Sequence, residues 1–453
     1  MEGILFRAVI LLVQLVLLLM IVKHNKINTG FFYKGISAGI IAYYTVFPLI
    51  ILAVYAFGGS SLQEEINGKN ILHYIINVDY YKMIITSIVI ICFQLLFTFI
   101  YSSRIKFVLG TVNHHNSIDR EIKQNAQRTL VLIGNVMLLV GGICTLYYML
   151  SFGSISRAIL LSGYVRSFTV SSTRYVSYLA SIMIIPAGAI VIAPWCFLLG
   201  LDYNRGTWKR IKLIISLILS ALFLLVKAGR APLMIFLISF AMPFLIKRSK
   251  HPWLILCIAA FIGMPLLDYL DVLFDNAVIE SGYNFTSYIS QFAYPYRTIT
   301  SIFDIIGQYG IRWGQDFITS FLGMIPGLNF DSTWRIVSEY IGGTGWMSTG
   351  STPTDLISFC LLEFHILGIL LGGILGLVCR NLDKGLFCIG EGEKNRSEYG
   401  IRALSSFCLL NCFWFVSTAD FESLVRNIYF MGICILILFI SKGKRNDFTP
   451  YSG

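Results

Sequence analysis

The stretch LLVKAGRAPLMIF, Leu224 to Phe236, holds two apolar runs that are separated by a turn of four residues. The turn carries two cations, Lys227 and Arg230, beside Gly229. Apolar runs with so short a connection predict two helices that cross a membrane one after the other. The stretch therefore indicates a polytopic membrane protein, and it raises the question of what two neighbouring cations do at a membrane surface.

Composition extends this prediction to the whole chain of 453 residues. Hydrophobic residues make up 56% and charged residues 13%, whereas about a quarter of the residues in soluble domains are charged. We expect an all-α protein of about eleven transmembrane helices in a single integral membrane domain, residues 1–453. The predicted spans are Ala8–Val22, Ile36–Phe57, Met83–Ser103, Thr129–Ser151, Val176–Leu201, Leu213–Val226, Pro232–Ile246, Leu254–Leu273, Leu356–Val378, Ala403–Ser417 and Asn427–Ile440.

The distribution of charge predicts the orientation of these spans. Cytoplasmic loops are enriched in Lys and Arg, so the basic tail around Lys442 and Arg445 is placed inside, and an odd number of spans puts the N-terminus outside. About two thirds of the 35 Lys and Arg then lie inside, and about two thirds of the 24 Asp and Glu lie outside. The net charge of +11 is thus a signal of topology, and it argues against nucleic acid as a partner.

The longest predicted outer segment is residues 274–355, between the eighth and ninth spans. It contains Trp313, Trp334 and Trp346, and it is too apolar to be a free linker. We expect short helices there that lie on or between the spans. Nearly all of the ten cysteines fall in apolar runs, so no disulfide framework is predicted.

Several cations lie on the predicted outer side, against the general trend of membrane proteins. They are Arg157, Arg166, Arg174, Lys227, Arg230, Arg297, Arg335 and Arg426. One explanation is snorkelling, in which charged heads reach interfacial water or lipid phosphate. The other is an anionic ligand, because the two cations of one tight turn repel each other unless an anion lies between them. Guanidinium groups bind phosphate oxygens in pairs, so a diphosphate at the outer leaflet would suit this set.

Acidic residues on the predicted outer side are candidates for accepting a proton. Asp355 follows a hydroxyl-rich stretch and opens the ninth span, where it or Thr354 can also cap the helix. Asp420 and Glu422 lie in a short outer turn, and Glu422 is spaced to pair with Arg426 on a helix. Capping and ion pairing are therefore structural alternatives to a catalytic role.

Two further ionisable residues, Glu363 and His365, lie inside the predicted ninth span. Their spacing predicts that they face different sides of one helix. Ionisable residues within a membrane are functional candidates, but no spacing typical of metal ligands accompanies them. The chain also lacks the P-loop, His-Glu-x-x-His and Asp-x-Asp motifs, so neither a metal nor another cofactor is predicted.

Four patches of the sequence carry a resemblance to a known family. They are Gly229-Arg230, the segment from Trp313-Gly314-Gln315-Asp316 through Phe321-Leu322-Gly323-Met324-Ile325-Pro326-Gly327, the stretch Gly350-Ser351-Thr352-Pro353-Thr354, and the turn Phe421-Glu422-Ser423-Leu424-Val425-Arg426. Their order, with many spans and one large outer loop before the last few, resembles that of bacterial O-antigen polymerases, the Wzy-type oligosaccharide repeat-unit polymerases.

The resemblance implies a fold, an activity and a location. The fold would be the ligase-like membrane fold of glycosyltransferases, in the bacterial inner membrane, with a periplasmic N-terminus and a cytoplasmic C-terminus. Such enzymes build O-antigen for lipopolysaccharide by transferring the growing glycan from undecaprenyl diphosphate to the next lipid-linked repeat unit. They need no metal, and a chain-length regulator protein is an expected partner.

The resemblance also divides the candidate residues by role. The clamp for the leaving diphosphate would be Arg230, with Lys227, Arg297, Arg335 and Arg426. The diphosphate of the second substrate would be guided by Arg157, Arg166 and Arg174. The acceptor hydroxyl would be oriented or deprotonated by Asp355, Asp420 or Glu422.

Two alternative functions stay open from the sequence. A flippase for the same lipid-linked sugars would carry charges along a route through its spans, whereas most candidate charges here lie at the predicted outer surface. The related O-antigen ligases have an outer-loop histidine, and residues 274–355 contain none. Both features favour a polymerase.

Overall fold

The computed structural model describes residues 2–24, 30–68, 70–103, 119–159, 178–200, 207–228, 230–248, 285–322, 332–342, 354–390, 397–419 and 421–445. Every regular element within these residues is a helix. The helices of the first half are α1 (Glu2–His24), α2 (Phe31–Ile41), α3 (Phe47–Phe57), α4 (Ser60–Gly68), α5 (Asn70–Asn77), α6 (Tyr80–Ser102), α7 (Asp119–Leu150), α8 (Tyr178–Ala187), α9 (Ala193–Gly200), α10 (Thr207–Phe223) and α11 (Arg230–Arg248). Those of the second half are α12 (Phe285–Tyr309), α13 (Gln315–Leu322), α14 (Thr333–Gly342), α15 (Leu356–Phe364), α16 (Ile369–Gly390), α17 (Ser397–Ser417), α18 (Phe421–Arg426) and α19 (Ile428–Arg445).

Seven stretches of helix in the described part of the chain are long and apolar enough to cross a membrane. They are Gly3–His24, Phe31–Phe57, Tyr80–Ser102, Arg128–Leu150, Ile182–Gly200, Leu356–Ile389 and Tyr399–Ser417. Two shorter apolar helices are Ala231–Leu245 and Ile428–Ser441. The protein is therefore a helical membrane protein of many spans. The predicted span Leu254–Leu273 lies outside the described residues, and the number of about eleven spans stays a prediction.

The chain forms two compact units. Unit 1 comprises Met1–Ile105, Ser281–Arg380 and Cys412–Val425, and unit 2 comprises Lys106–Glu280, Asn381–Asn411 and Arg426–Gly453. Helices α16 and α17 contribute residues to both units. The expectation of one membrane domain over residues 1–453 stays a prediction.

Close helix packing in unit 1 depends on glycines of α16. At Gly376 an added Cβ would lie 2.5 Å from the carbonyl oxygen of Phe97, and at Gly372 it would lie 3.1 Å from Phe93. The four-residue spacing of the two glycines puts both on one face of α16, which lets its backbone approach α6. On α6, Phe97 stacks on Tyr33 with ring centroids 5.2 Å apart, so the same helix also holds α2.

One end of unit 1 brings together three segments that the sequence predicts to lie outside. Arg7, near the N-terminus, donates from Nε to the carbonyl oxygen of Val78 at 3.0 Å and lies over the ring of Tyr80. Lys82 forms an ion pair with Asp304 of α12. The N-terminus, the segment around 78–82 and the first part of 274–355 thus lie at the same end, while the face of the membrane that this end occupies stays a prediction.

The core of unit 2 is built around Trp195 of α9. The indole stacks on Phe240 at 4.5 Å between ring centroids and lies 5.0 Å from the ring of Phe407. The two helices predicted from Leu224–Phe236 are present here. The first ends in a π-helical turn, Leu224–Ala228, and the second begins at Arg230.

The predicted ninth span, Leu356–Val378, falls within the candidate span Leu356–Ile389, but it is not one continuous helix. Helix α15 ends at Phe364, and His365 has a φ of +52°, a left-handed conformation that side chains other than glycine rarely adopt. A 3₁₀ turn, His365–Gly368, then leads into α16. Gly368 lies so close to Cys360 that an added Cβ would be 2.0 Å from its carbonyl oxygen, so this tight reversal requires glycine.

The break corrects two predictions about this region. Glu363 and His365 do not face different sides of one helix, because the helix ends between them. Helix α15 has nine residues, a length of about 13 Å, whereas a hydrocarbon core is about 30 Å thick. It is therefore too short to span a membrane by itself.

Candidate functional site

The first turn of α15 holds the candidate carboxylate Asp355. Asp355 is the N-cap residue, and its Oδ1 accepts a hydrogen bond from the backbone N–H of Ser358 at 3.0 Å. This confirms that Asp355 caps the helix, which was one of the interpretations left open by the sequence. Because capping uses Oδ1, the other carboxylate oxygen, Oδ2, can still accept a proton from a ligand.

A tyrosine from a distant part of the chain holds the same carboxylate oxygen. The hydroxyl of Tyr44 donates to Asp355 Oδ1 at 2.5 Å and accepts from the N–H of Ile357 at 3.4 Å. Tyr44 lies in the π-helical turn Ala42–Val46, which interrupts the helix between α2 and α3. Wide turns of this kind inside helices often occur at functional sites.

The site lies deep in unit 1. Tyr44 is the middle residue of the candidate span Phe31–Phe57, and both Tyr44 and Asp355 are fully buried. The sequence predicts that Asp355 lies at the outer end of the ninth span, and its position along the membrane normal stays a prediction. The structure places its carboxylate against Tyr44, and a buried carboxylate is costly to keep unless it is hydrogen-bonded.

Three buried oxygen atoms at the start of α15 have no hydrogen-bond partner within the described residues. They are Oδ2 of Asp355, Oγ1 of Thr354 and Oγ of Ser358, and none of the three side chains has exposed surface. Buried polar atoms are rarely left unsatisfied in native proteins, and exceptions call for an explanation. A ligand hydroxyl, or a rotation of the Ser358 hydroxyl, would supply the missing partner of Asp355 Oδ2.

Three segments that carried the family resemblance meet around this helix. The N–H of Ala419 donates to the carbonyl oxygen of Thr354 at 2.9 Å, so the turn before Asp420 lies against the start of α15. The ring of Phe421 lies 4.7 Å from that of Phe317, on α13, measured between centroids. Segments around residues 317, 354 and 421 therefore lie side by side in unit 1.

A second polar cluster surrounds the other end of α15. The guanidinium of Arg312 contacts Asp316 Oδ1 at 2.6 Å through Nη2, and its Nε lies 3.5 Å from Glu363 Oε1. Thr333 donates its N–H to Asp316 Oδ2 at 2.6 Å and its hydroxyl to Glu363 Oε1 at 3.0 Å. The side chains of Arg312, Asp316 and Glu363 are 8%, 1% and 0% exposed. The cluster joins the loop after α12 and the starts of α13 and α14 to the end of α15.

The sequence singled out Glu363 but not its partners. Arg312 and Asp316 are four residues apart, a spacing that favours an ion pair on a helical turn, and this signal was present in the sequence. The contact between Arg312 and Glu363 had no such signal in the sequence, because α15 ends directly after Glu363, where the chain reverses at His365. Among the described residues no group of three or more His, Cys, Asp and Glu could hold a metal ion.

Two of the predicted diphosphate-binding cations lie in unit 1. The guanidinium of Arg297 lies 3.2 Å from the ring centroid of Tyr74 and donates to Ser301. Arg335 lies with its guanidinium 5.8 Å from the ring centroid of Trp334. Near Arg297, burial raises the pKa of the Tyr340 phenol, and Asp304 raises it further. Arg297 thus belongs to a network of side chains in addition to any ligand role.

The other predicted cations belong to unit 2 or are not described. Lys227 lies in the π-helical turn, 5.8 Å from the ring centroid of Phe223, and Arg157 is exposed. Arg230, Glu422 and Arg426 lie on described helices, but their side chains fall outside the described part. Arg166, Arg174 and Asp420 lie outside the described residues altogether. The roles assigned to these residues stay predictions.

Comparison with protein-family models, with curated proteins and with solved structures found no match.

Proposed function

We propose that this protein is a glycosyltransferase that polymerises lipid-linked oligosaccharide repeat units of a surface polysaccharide. It would transfer the growing glycan from undecaprenyl diphosphate to the next repeat unit at the periplasmic face of the bacterial inner membrane. The observation that carries the proposal is Asp355, a buried carboxylate with one unpartnered oxygen among the described residues. It lies where the segments around Phe317, Thr354 and Phe421 meet.

Asp355 supplies the base that glycosyl transfer requires. An acceptor hydroxyl gives its proton to Asp355 Oδ2 while its oxygen forms a bond to the anomeric carbon of the donor glycan. The bond from that carbon to the diphosphate breaks at the same time, and the diphosphate leaves with the bonding electrons. General base catalysis by a positioned carboxylate contributes roughly 10²- to 10⁴-fold in rate.

The leaving diphosphate needs positive charge to stabilise it. The cations proposed for this role are those predicted from the sequence, with Arg230 first among them. Guanidinium groups donate pairs of hydrogen bonds to phosphate oxygens, and fixed cations stabilise charge that develops on a leaving group. This part of the proposal rests on the sequence pattern.

A complementation experiment tests the proposal. A strain without the gene would be supplied with the normal protein or with Asp355→Asn, and its lipid-linked and surface glycans would be sized. Asparagine keeps the capping oxygen of α15 but is a far weaker base. We expect the deletion strain and D355N to display single repeat units, with D355N present in the membrane at the normal level.

The matched control is Asp79→Asn. Asp79 also caps a helix, α6, by accepting from the N–H of Tyr81, but its side chain is exposed. D79N should give glycan chains of normal length. Chains of normal length in D355N would exclude Asp355 as the base.

A flippase for the same lipid-linked sugars is the second candidate function, and the broken helices favour it. The span Phe31–Phe57 is interrupted by a π-helical turn, and the short helix α15 starts beside its middle. Discontinuous helices that meet at mid-depth are common at the binding sites of transporters. Under this alternative the deletion strain would display no glycan at its surface, rather than single repeat units.

A further inference from the structure

The environment of Asp355 assigns different tasks to its two carboxylate oxygens. Oδ1 accepts the hydroxyl of Tyr44 at 2.5 Å and the N–H of Ser358 at 3.0 Å. A carboxylate oxygen has about two lone-pair directions, so these donors occupy Oδ1. Oδ2 is buried and has no partner among the described residues. A proton from a substrate would therefore be accepted by Oδ2.

We propose that Tyr44 is a positioning residue, which holds the Asp355 carboxylate so that Oδ2 faces the acceptor hydroxyl. The inference rests on the proposed function. Tyr44 binds Oδ1 and also accepts the N–H of Ile357, so its hydroxyl is fixed from two sides. Rotation of the carboxylate about its Cβ–Cγ bond would break the bond from Tyr44. The orientation of a catalytic group contributes strongly to rate, because small misplacements lower the fraction of productive geometries.

The π-helical turn that carries Tyr44 is itself held by side chains from two other helices. Gln14 of α1 donates from Nε2 to the carbonyl oxygen of Tyr44 at 3.2 Å and to Thr45 Oγ1 at 2.8 Å. Ser87 of α6 donates to Gln14 Oε1 at 2.7 Å, and all of these groups are buried. A chain of hydrogen bonds therefore runs from α6 through α1 to Tyr44 and Asp355.

Pro48, four residues after Tyr44, has no N–H and so cannot donate to the carbonyl oxygen of Tyr44 as a regular α-helix would require. A π-helical turn removes regular hydrogen bonds of the α-helix and leaves backbone groups in need of other partners. Gln14 provides such a partner to the carbonyl oxygen of Tyr44. The turn is thus stabilised in a conformation that directs the Tyr44 hydroxyl to Asp355.

The test compares Tyr44→Phe with the normal protein in an assay of chain elongation by purified protein on lipid-linked repeat units. We expect the kcat of Y44F to fall by about 10-fold with KM changed less than about twofold, because orientation affects the reacting geometry more than binding. The acid limb of the pH–rate profile should move to higher pH, because the carboxylate loses a donor that favours its ionised form. Y44F combined with D355N should be no slower than D355N.

Tyr43→Phe is the matched control. Tyr43 is the buried neighbour of Tyr44, and its ring packs on Phe413 at 5.1 Å between centroids. Y43F should keep the normal kcat and pH profile. Should Y44F fail to accumulate in the membrane, Gln14→Leu tests the same chain of hydrogen bonds, with a smaller fall in kcat and a shift of the acid limb in the same direction.

The outcomes separate this inference from the proposed function. An active D355N would overturn the proposed function. An inactive D355N together with an unshifted pH profile in Y44F, or in Q14L where Y44F does not accumulate, would overturn only the positioning role. A shifted acid limb with a nearly normal KM supports the role, since a purely structural tyrosine would lower the amount of folded protein without moving the profile.

Discussion

Arg312 provides the positive charge of the polar cluster at the end of α15. Its guanidinium contacts Asp316 and Glu363, and all three side chains are almost fully buried. Two carboxylates that face one guanidinium leave an excess of negative charge when both are ionised. Thr333 offsets part of this excess with an N–H and an O–H donor. Without the guanidinium, two acidic groups would be buried without their cationic partner.

Substitution Arg312→Ala should therefore destabilise the protein strongly. Breaking a buried ion pair by removing one partner typically lowers the free energy of unfolding by about 3–5 kcal/mol. The measurement is thermal denaturation of the detergent-solubilised protein. Lys82→Ala is the control, because the side chains of Lys82 and Asp304 are 38% and 39% exposed and such pairs contribute about 1 kcal/mol or less. Equal melting temperatures for the two variants would contradict the importance of this cluster.

Helix α15 depends on a tight reversal of the chain at its end. His365 takes a left-handed conformation, and Gly368 lies against the carbonyl group of Cys360. The reversal separates α15 from α16 directly after Glu363, which contacts Arg312. The polar cluster around Arg312 therefore lies next to the reversal.

Gly368→Ala should disrupt this reversal. The added Cβ would lie 2.0 Å from the carbonyl oxygen of Cys360, a distance that requires the backbone to shift. We expect loss of chain elongation and a clearly lower melting temperature. Gly307→Ala in α12 is the control, because nothing lies within 4 Å of its added Cβ and alanine is favoured over glycine in a helix by about 1 kcal/mol. A normal melting temperature in G368A would show that the reversal is not required.

The sequence predicted long apolar helices because apolar length is a local signal, while their number of about eleven stays a prediction. It also predicted a cap at Thr354 or Asp355, since a polar residue before an apolar run is a local pattern. It did not predict the break at His365, because no proline or paired glycine marks that position and the reversal depends on the contact between Gly368 and Cys360. Local patterns therefore predicted the helices, but not the position at which the apolar segment after Asp355 divides into α15 and α16.

Local sequence patterns did not predict which distant residue contacts the Asp355 carboxylate. Tyr44 and Asp355 are 311 residues apart in the chain. Pro48 marks an irregularity of the helix beside Tyr44, but nothing in the sequence connects it to Asp355. In the structure, Gln14 donates to the carbonyl oxygen of Tyr44 in the π-helical turn, and Ser87 donates to Gln14. Such pairings arise from the tertiary packing of helices, which periodicity in one helix does not encode.

The orientation of the whole molecule in the membrane rests on its distribution of charge. The segments predicted to lie outside meet at one end of unit 1, through Arg7 with Val78 and Lys82 with Asp304. Basic residues dominate the segments predicted to lie inside, as the positive-inside rule requires. The sidedness of both units can be tested by labelling.

A cysteine at Ala228, in a protein otherwise free of cysteine, should react with a membrane-impermeant maleimide added from the periplasmic side. The turn 227–230 is predicted to lie outside, next to the proposed diphosphate-binding cations. A cysteine at Lys444, in the basic tail, should react only after the membrane is permeabilised. Labelling of A228C only after permeabilisation would reverse the orientation and remove the periplasmic site from the proposed function.

The length of α15, nine residues, also sets the distance between the polar groups at its two ends. Its start is fixed at Tyr44 and its end at Arg312, so the number of residues between Asp355 and Glu363 sets both contacts at once. Each residue added to an α-helix rotates the remainder of the helix by about 100° and advances it by about 1.5 Å. Insertion or deletion of one residue would therefore rotate either Asp355 away from Tyr44 or Glu363 away from Arg312. The two contacts together therefore constrain the length of this segment.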